Sequence, residues 1–143
     1  MGIVGDTGCV VKKFPTVFIV DNRPAVSKTL EEIIRKRGFL VECFNSAAEF
    51  IAQQQPDQVG CVLVDPLADP DGDAVLRWIH ESGSLFSVIL TSGFIDSSDF
   101  LPKQGQSAPI AEEPHKVSTL LTMVADGLAG SISRKVIQER TRG

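Results

Sequence analysis

The sequence predicts an α/β domain in which helices flank a doubly wound parallel sheet. Three observations carry this expectation. Short apolar runs alternate along the chain with amphipathic helical patterns. Two of those runs, Thr16–Val20 and Gly60–Val64, are followed directly by aspartate, at Asp21 and Asp65. Both are apolar throughout rather than alternating, as befits strands covered on both faces.

Each element has its own signal. After a Gly-rich lead over residues 1–15, Thr16–Val20 reads as a buried strand. Pro24 opens a helix with Val26, Leu30, Ile33 and Ile34 at helical spacing, and Gly38 closes it. Phe39–Phe44 is the second strand, and Ser46 with Glu49 forms a capping-box pair ahead of a short helix carrying Phe50 and Ile51. That helix stops before Pro56, and Gly60–Val64 is the third strand. The Pro-, Asp- and Gly-dense Asp65–Asp73 is a loop, followed by a helix marked by Val75, Leu76, Trp78 and Ile79. Phe86–Thr91 is the fourth strand. Phe94–Gly105, holding Pro102, predicts only a short or broken fourth helix. Ala108–Ala111 is the candidate fifth strand. From Lys116 an apolar stripe runs through Val117, Leu120, Leu121, Val124, Leu128, Ile132 and Val136, with Gly127 and Gly130 as expected weak points. The domain is thus expected over 16–129, with 130–143 as a helical extension or tail.

Bulk properties narrow the function. The 143 residues suit one core, and 43% hydrophobic with 22% charged residues is globular in character. A net charge of −4 lacks the basic excess of a nucleic-acid-binding domain. No apolar run reaches the roughly 18 residues of a membrane span. Lys12 and Lys13 interrupt any signal-peptide core, and Asp6 stands where a myristoylation site needs Ser or Thr. Cys9, Cys43 and Cys61 lack metal-ligand spacing and read as reduced thiols. A cytoplasmic location is expected.

Strand-ending carboxylates on one edge of a parallel sheet lie where such sheets bind ligands. They can hold a hard cation, and one can attack phosphorus. With Val20-Asp21-Asn22, Val62-Leu63-Val64-Asp65, Leu90-Thr91-Ser92-Gly93 and Glu113-Pro114 in that order, the chain resembles the receiver domain of bacterial response regulators from about Thr16 to Ala129. The resemblance implies five parallel strands in the order 2-1-3-4-5, the flavodoxin-like arrangement. It makes Asp65 the phosphoacceptor for a histidine kinase's phosphohistidine. It implies Mg²⁺ held by Asp21, Asp65 and the backbone carbonyl near Leu67. Ser92 matches the hydroxyl residue that turns toward the phosphate. Thr91, one residue earlier, is expected to point the other way, because neighbouring strand residues alternate faces.

Four departures stand out. Asn22 replaces the family's second acidic residue. Glu113, before Pro114, replaces the lysine that pairs with the phosphate. A lysine about 4 Å from a phosphate oxygen contributes on the order of 4 kcal/mol at an effective dielectric near 20, and a glutamate there reverses the sign. The loop after Asp65 is also one residue short and lacks a Met-Pro pair. Ile110 stands where the family usually places an aromatic switch, in a chain without tyrosine.

The resulting expectation is a stand-alone receiver that takes phosphate on Asp65 and signals by protein contact, without enzymatic activity of its own. Its partners would be a sensor histidine kinase or phosphotransfer protein and a downstream protein effector. The alternative is a pseudo-receiver that works as a phosphorylation-independent interaction module. A flavin- or nucleotide-binding role is disfavoured, because Asp21-Asn22-Arg23-Pro24 lacks a Gly-rich phosphate cradle. Ile132, Val136 and Ile137, flanked by Arg134, Lys135, Arg140 and Arg142, suggest a homodimer through the C-terminal helix.

Overall fold

The computed structural model describes residues 14–65, 72–91 and 114–142. Four strands, β1 (Thr16–Val20), β2 (Val41–Phe44), β3 (Gly60–Val64) and β4 (Ser87–Leu90), alternate with helices α1 (Pro24–Lys36), α2 (Ala47–Ala52) and α3 (Gly72–Ser82). A long α4 (Pro114–Arg142) closes the described chain. The sheet is parallel throughout and ordered β2-β1-β3-β4. Among the described residues it therefore has four strands rather than the five expected. The candidate fifth strand at 108–111 and the weak helix at 94–105 lie outside those residues.

Local chemistry sets the boundaries. Pro24 supplies the pre-set φ of a first helical turn, and Gly38, with φ +95°, turns the chain out of α1. β2 begins at Val41 rather than Phe39, because Leu40 is exposed as the chain enters the sheet. Its carbonyl still accepts a bond from the Val17 amide at 2.8 Å. The Ser46 hydroxyl accepts from the Glu49 amide at 3.2 Å, the expected N-cap of α2. β4 begins after Phe86, whose amide is taken by the Ser84 hydroxyl at 3.1 Å.

Alternation along the strands divides the core between the two faces of the sheet. One face carries Val17, Ile19, Cys61, Leu63 and Ile89 against Val26, Leu30 and Ile34 of α1 and Leu120, Val124 and Leu128 of α4. The other carries Phe18, Val20 and Val62 with Phe44, Phe50, Val75 and Phe86. Gly60 is dictated by this second packing. A Cβ there would lie 2.7 Å from the Thr16 carbonyl oxygen and 2.9 Å from Phe18 Cε2.

α4 runs unbroken through Gly127 and Gly130, the two weak points of the stripe. Each glycine costs a helix roughly 1 kcal/mol, but Gly127 lets α4 lie directly on the sheet. A Cβ there would meet Cys61 Sγ at 2.9 Å. The Ser87 hydroxyl donates to the Gly127 carbonyl at 2.6 Å. Beyond it, the fully buried Ser131 hydroxyl accepts from the Gly60 amide at 2.9 Å and donates to the Leu85 carbonyl at 2.7 Å. Helix residues past 129 thus bond to the ends of β3 and β4, while Ile132, Val136 and Ile137 remain exposed.

Cys61 lies inside the α1/α4 face with no exposed surface, and burial pushes its thiol from 9.0 up to about 12. The unfolded thiol ionises first, so its contribution to stability is complete below pH 9 and is lost as pH rises toward 12. Urea titrations should show wild type losing stability across that window more steeply than Cys61→Ala. Parallel slopes would contradict the buried placement.

Candidate functional site

The ends of β1, β3 and β4 build the site. Val20 pairs with Val64, and Val64 with Leu90. One residue further along each strand come Asp21, Asp65 and Thr91, which form a row across the carboxyl edge of the sheet. Alternation puts this row on the face of Ile19, Leu63 and Ile89, the face that α1 and α4 cover. All three side chains belong to buried residues, with Asp21 5%, Asp65 3% and Thr91 2% exposed. The Asp21 amide continues the ladder by donating to the Phe44 carbonyl at 3.1 Å, which fixes where its carboxylate begins.

A guanidinium fills the space beside the carboxylates. Arg23 Nε donates to Asp21 Oδ1 at 3.0 Å and Arg23 Nη2 to Asp21 Oδ2 at 2.8 Å, a two-pronged contact. The same Nη2 reaches Asp65 Oδ2 at 3.5 Å. The Arg23 amide also donates to Asp21 Oδ1 at 2.8 Å, so backbone and side chain converge on one carboxylate. Hydrogen bonding to Asp21, followed by the charges of Asp21 and Asp65, raises the pKa of the guanidinium despite its partial burial.

Asp21 and Asp65 therefore come together as expected. Asn22 is exposed beside them, and Pro114 is the first residue of α4. Leu67, Ser92, Ile110 and Glu113 lie outside the described residues. Two residues of the site were missed from sequence. The sequence carries one usable signal for Arg23, a cation two positions after Asp21 and directly before Pro24. Thr91, expected to point the other way, stands in the row, and its Oγ1 is buried without a hydrogen-bond partner among the described residues.

The family-model comparison now decides the class. The model for the response regulator receiver domain matches residues 17–105. The chain belongs to the response regulator receiver family. The response regulator TodT of Pseudomonas putida is 32% identical to it over 81 residues, covering 56% of this chain and 36% of TodT. TmoT of Ectopseudomonas mendocina is likewise 32% identical over 81 residues, covering 37% of its own length. The tetrathionate response regulatory protein TtrR of Salmonella typhimurium is 29% identical over 82 residues, covering 57% of this chain and 40% of TtrR. The matches thus span a little over a third of these curated relatives. A solved structure of the response regulator StyR shares the fold, with a TM-score of 0.68 at 24% identity, over 90% of this chain and 66% of that one. Receiver domains are phosphoacceptors rather than classical enzymes. No described helix is long and apolar enough to cross a membrane.

Receiver domains generally use Mg²⁺ for phosphorylation. Mg²⁺ demands near-octahedral oxygen ligands and usually retains several waters. Here both Asp21 oxygens and one Asp65 oxygen already accept from Arg23. Among the described residues, no group of three or more His, Cys, Asp or Glu could hold a metal. As arranged, these residues do not fit the ion.

Proposed function

We propose that this receiver takes a phosphoryl group on Asp65 from the phosphohistidine of a sensor kinase or phosphotransfer protein and signals by protein contact. The observation carrying this is the row of buried Asp21, Asp65 and Thr91 at the carboxyl edge of a receiver sheet. An Asp65 carboxylate oxygen attacks phosphorus, the P–N bond breaks, and the histidine ring leaves with the bonding pair. Arg23 supplies positive charge beside the phosphoryl oxygens, where charge is greatest during transfer. The Thr91 hydroxyl, in register with Asp65 and lacking a partner, would donate to one of those oxygens. By the family's pattern Glu113 takes the place of a lysine, which predicts a less favourable or shorter-lived phosphorylated state.

Acetyl phosphate or a phosphorylated kinase, followed by a phosphate-affinity gel, tests this reading. Wild type should shift, Asp65→Asn should not, and Thr91→Ala should give a fainter or shorter-lived band. A shift that survives Asp65→Asn would remove the site assignment.

A second reading, a pseudo-receiver that binds partners without phosphorylation, is favoured by the Arg23 contacts. That side chain already supplies a positive partner to both carboxylates. Absence of any shift from every donor, with partner binding indifferent to Asp65→Asn, selects it over the first.

A further inference from the structure

Arg23 is held by its local sequence as much as by its charge. Pro24 restricts the residue before it to extended backbone, and Arg23 has φ −102° and ψ 104°. Its carbonyl accepts the first bond of α1 from the Ser27 amide at 3.1 Å. Its amide is fixed on Asp21. From that anchored backbone the side chain folds back across the row, with 28% of its surface exposed against 6% for Asp21 and 4% for Asp65. The guanidinium therefore pairs with both carboxylates from a more exposed position than theirs.

A second feature of the sequence agrees with this geometry. Asn22 removes one negative charge from the loop, and Arg23 adds one fixed positive charge directly after it. Among the described residues the pocket has two carboxylates and a resident cation, which leaves less need of a doubly charged ion at Asp21 and Asp65 than the family's fuller acidic set would. The fork geometry matches a carboxylate in a way that a hydrated metal ion does not. An arginine also stays charged across the whole working pH range.

We propose that Arg23 is the built-in cation of this receiver, occupying the place between Asp21 and Asp65 that a divalent ion would need, so that the pocket is metal-independent. This goes beyond the phosphorylation reading and holds whether or not Asp65 accepts phosphate. For a metal to bind, the Arg23 bonds to both carboxylates must first be broken. The absence of that competition in Arg23→Gln exposes the two carboxylates to solvent cations.

The test uses Mn²⁺ as the probe, with free Mn²⁺ followed by electron paramagnetic resonance. Arg23→Gln should bind Mn²⁺ roughly tenfold or more tightly than wild type, a difference of about 1.4 kcal/mol. Arg23→Lys, which keeps the charge but loses the two-pronged contact, should fall between wild type and Arg23→Gln. Equal titrations for wild type and Arg23→Gln, whether both bind or neither does, overturn the proposal. A second measurement needs no variant. The thermal midpoint of wild type should be unchanged between EDTA and millimolar Mg²⁺, and a rise of several degrees with Mg²⁺ would overturn the proposal as well. Neither readout involves phosphate, so its outcome is separate from that of the labelling experiment.

Discussion

Phe18→Ala should lower the unfolding free energy by about 3–5 kcal/mol, the range for deleting a fully buried aromatic ring. Phe18 has no exposed surface, and it lies on β1, which is paired on both sides. Its ring centroid is 5.5 Å from that of Phe50, 5.2 Å from that of Phe86 and 6.3 Å from that of Phe44. Those rings come from α2, the segment just before β4, and β2, so removing Phe18 leaves a hole bordered by three separately anchored pieces of chain. None can move in without disturbing its own contacts, which places the cost toward the upper part of the range. Domains of this size are stable by only about 5–15 kcal/mol. Urea denaturation should therefore show a large fall in midpoint with an unchanged slope. Leu90→Ala is the control, since Leu90 is 42% exposed and should lose far less. A loss below about 1 kcal/mol for Phe18→Ala would mean that the aromatic cluster is not packed as described. The consequence extends to the site, because β1 delivers Asp21 directly.

Much of this architecture was legible in the residues, for an identifiable reason. β1 and β3 are uninterrupted apolar runs because they are buried on both faces, and such runs are hard to mistake when a carboxylate ends each one. Asp21 and Asp65 followed, since parallel strands with matched ends put their next residues side by side. Thr91 was misjudged because alternation was applied without register. Counting from the Val64–Leu90 pair puts Thr91 in the row with Asp65. Arg23 was harder. Its role depends on the side chain of the α1 N-cap residue folding back onto the carboxylates that follow two strands, a tertiary arrangement that composition and periodicity do not encode. The continuity of α4 was hidden for a related reason. Gly127 and Gly130 read as weak points by helix propensity, but Gly127 is there to admit a strand, and propensity says nothing about what lies across the interface.

That close approach sets the second large expected effect. Gly127→Val should destabilise by about 3 kcal/mol, near the top of the usual range for overpacking. The sign is informative, because valine is a better helix former than glycine, so helix propensity alone would make the variant slightly more stable. The opposing term is steric. A Cβ at 127 would lie 2.9 Å from Cys61 Sγ and 3.4 Å from Ser87 Cβ. Cys61 is fully buried on β3 and cannot swing away, so α4 itself must lift. Lifting α4 would also strain the Ser87–Gly127 bond and the Ser131 bridge between Gly60 and Leu85. A double-mutant cycle isolates the contact, because Cys61→Ala removes the sulfur that the new side chain strikes. Gly127→Val should cost clearly less in the Cys61→Ala background than in wild type, by about 1 kcal/mol or more. Equal costs in both backgrounds would show that the sulfur does not set the spacing. A stabilised Gly127→Val would show that helix α4 does not lie on the sheet at this point at all.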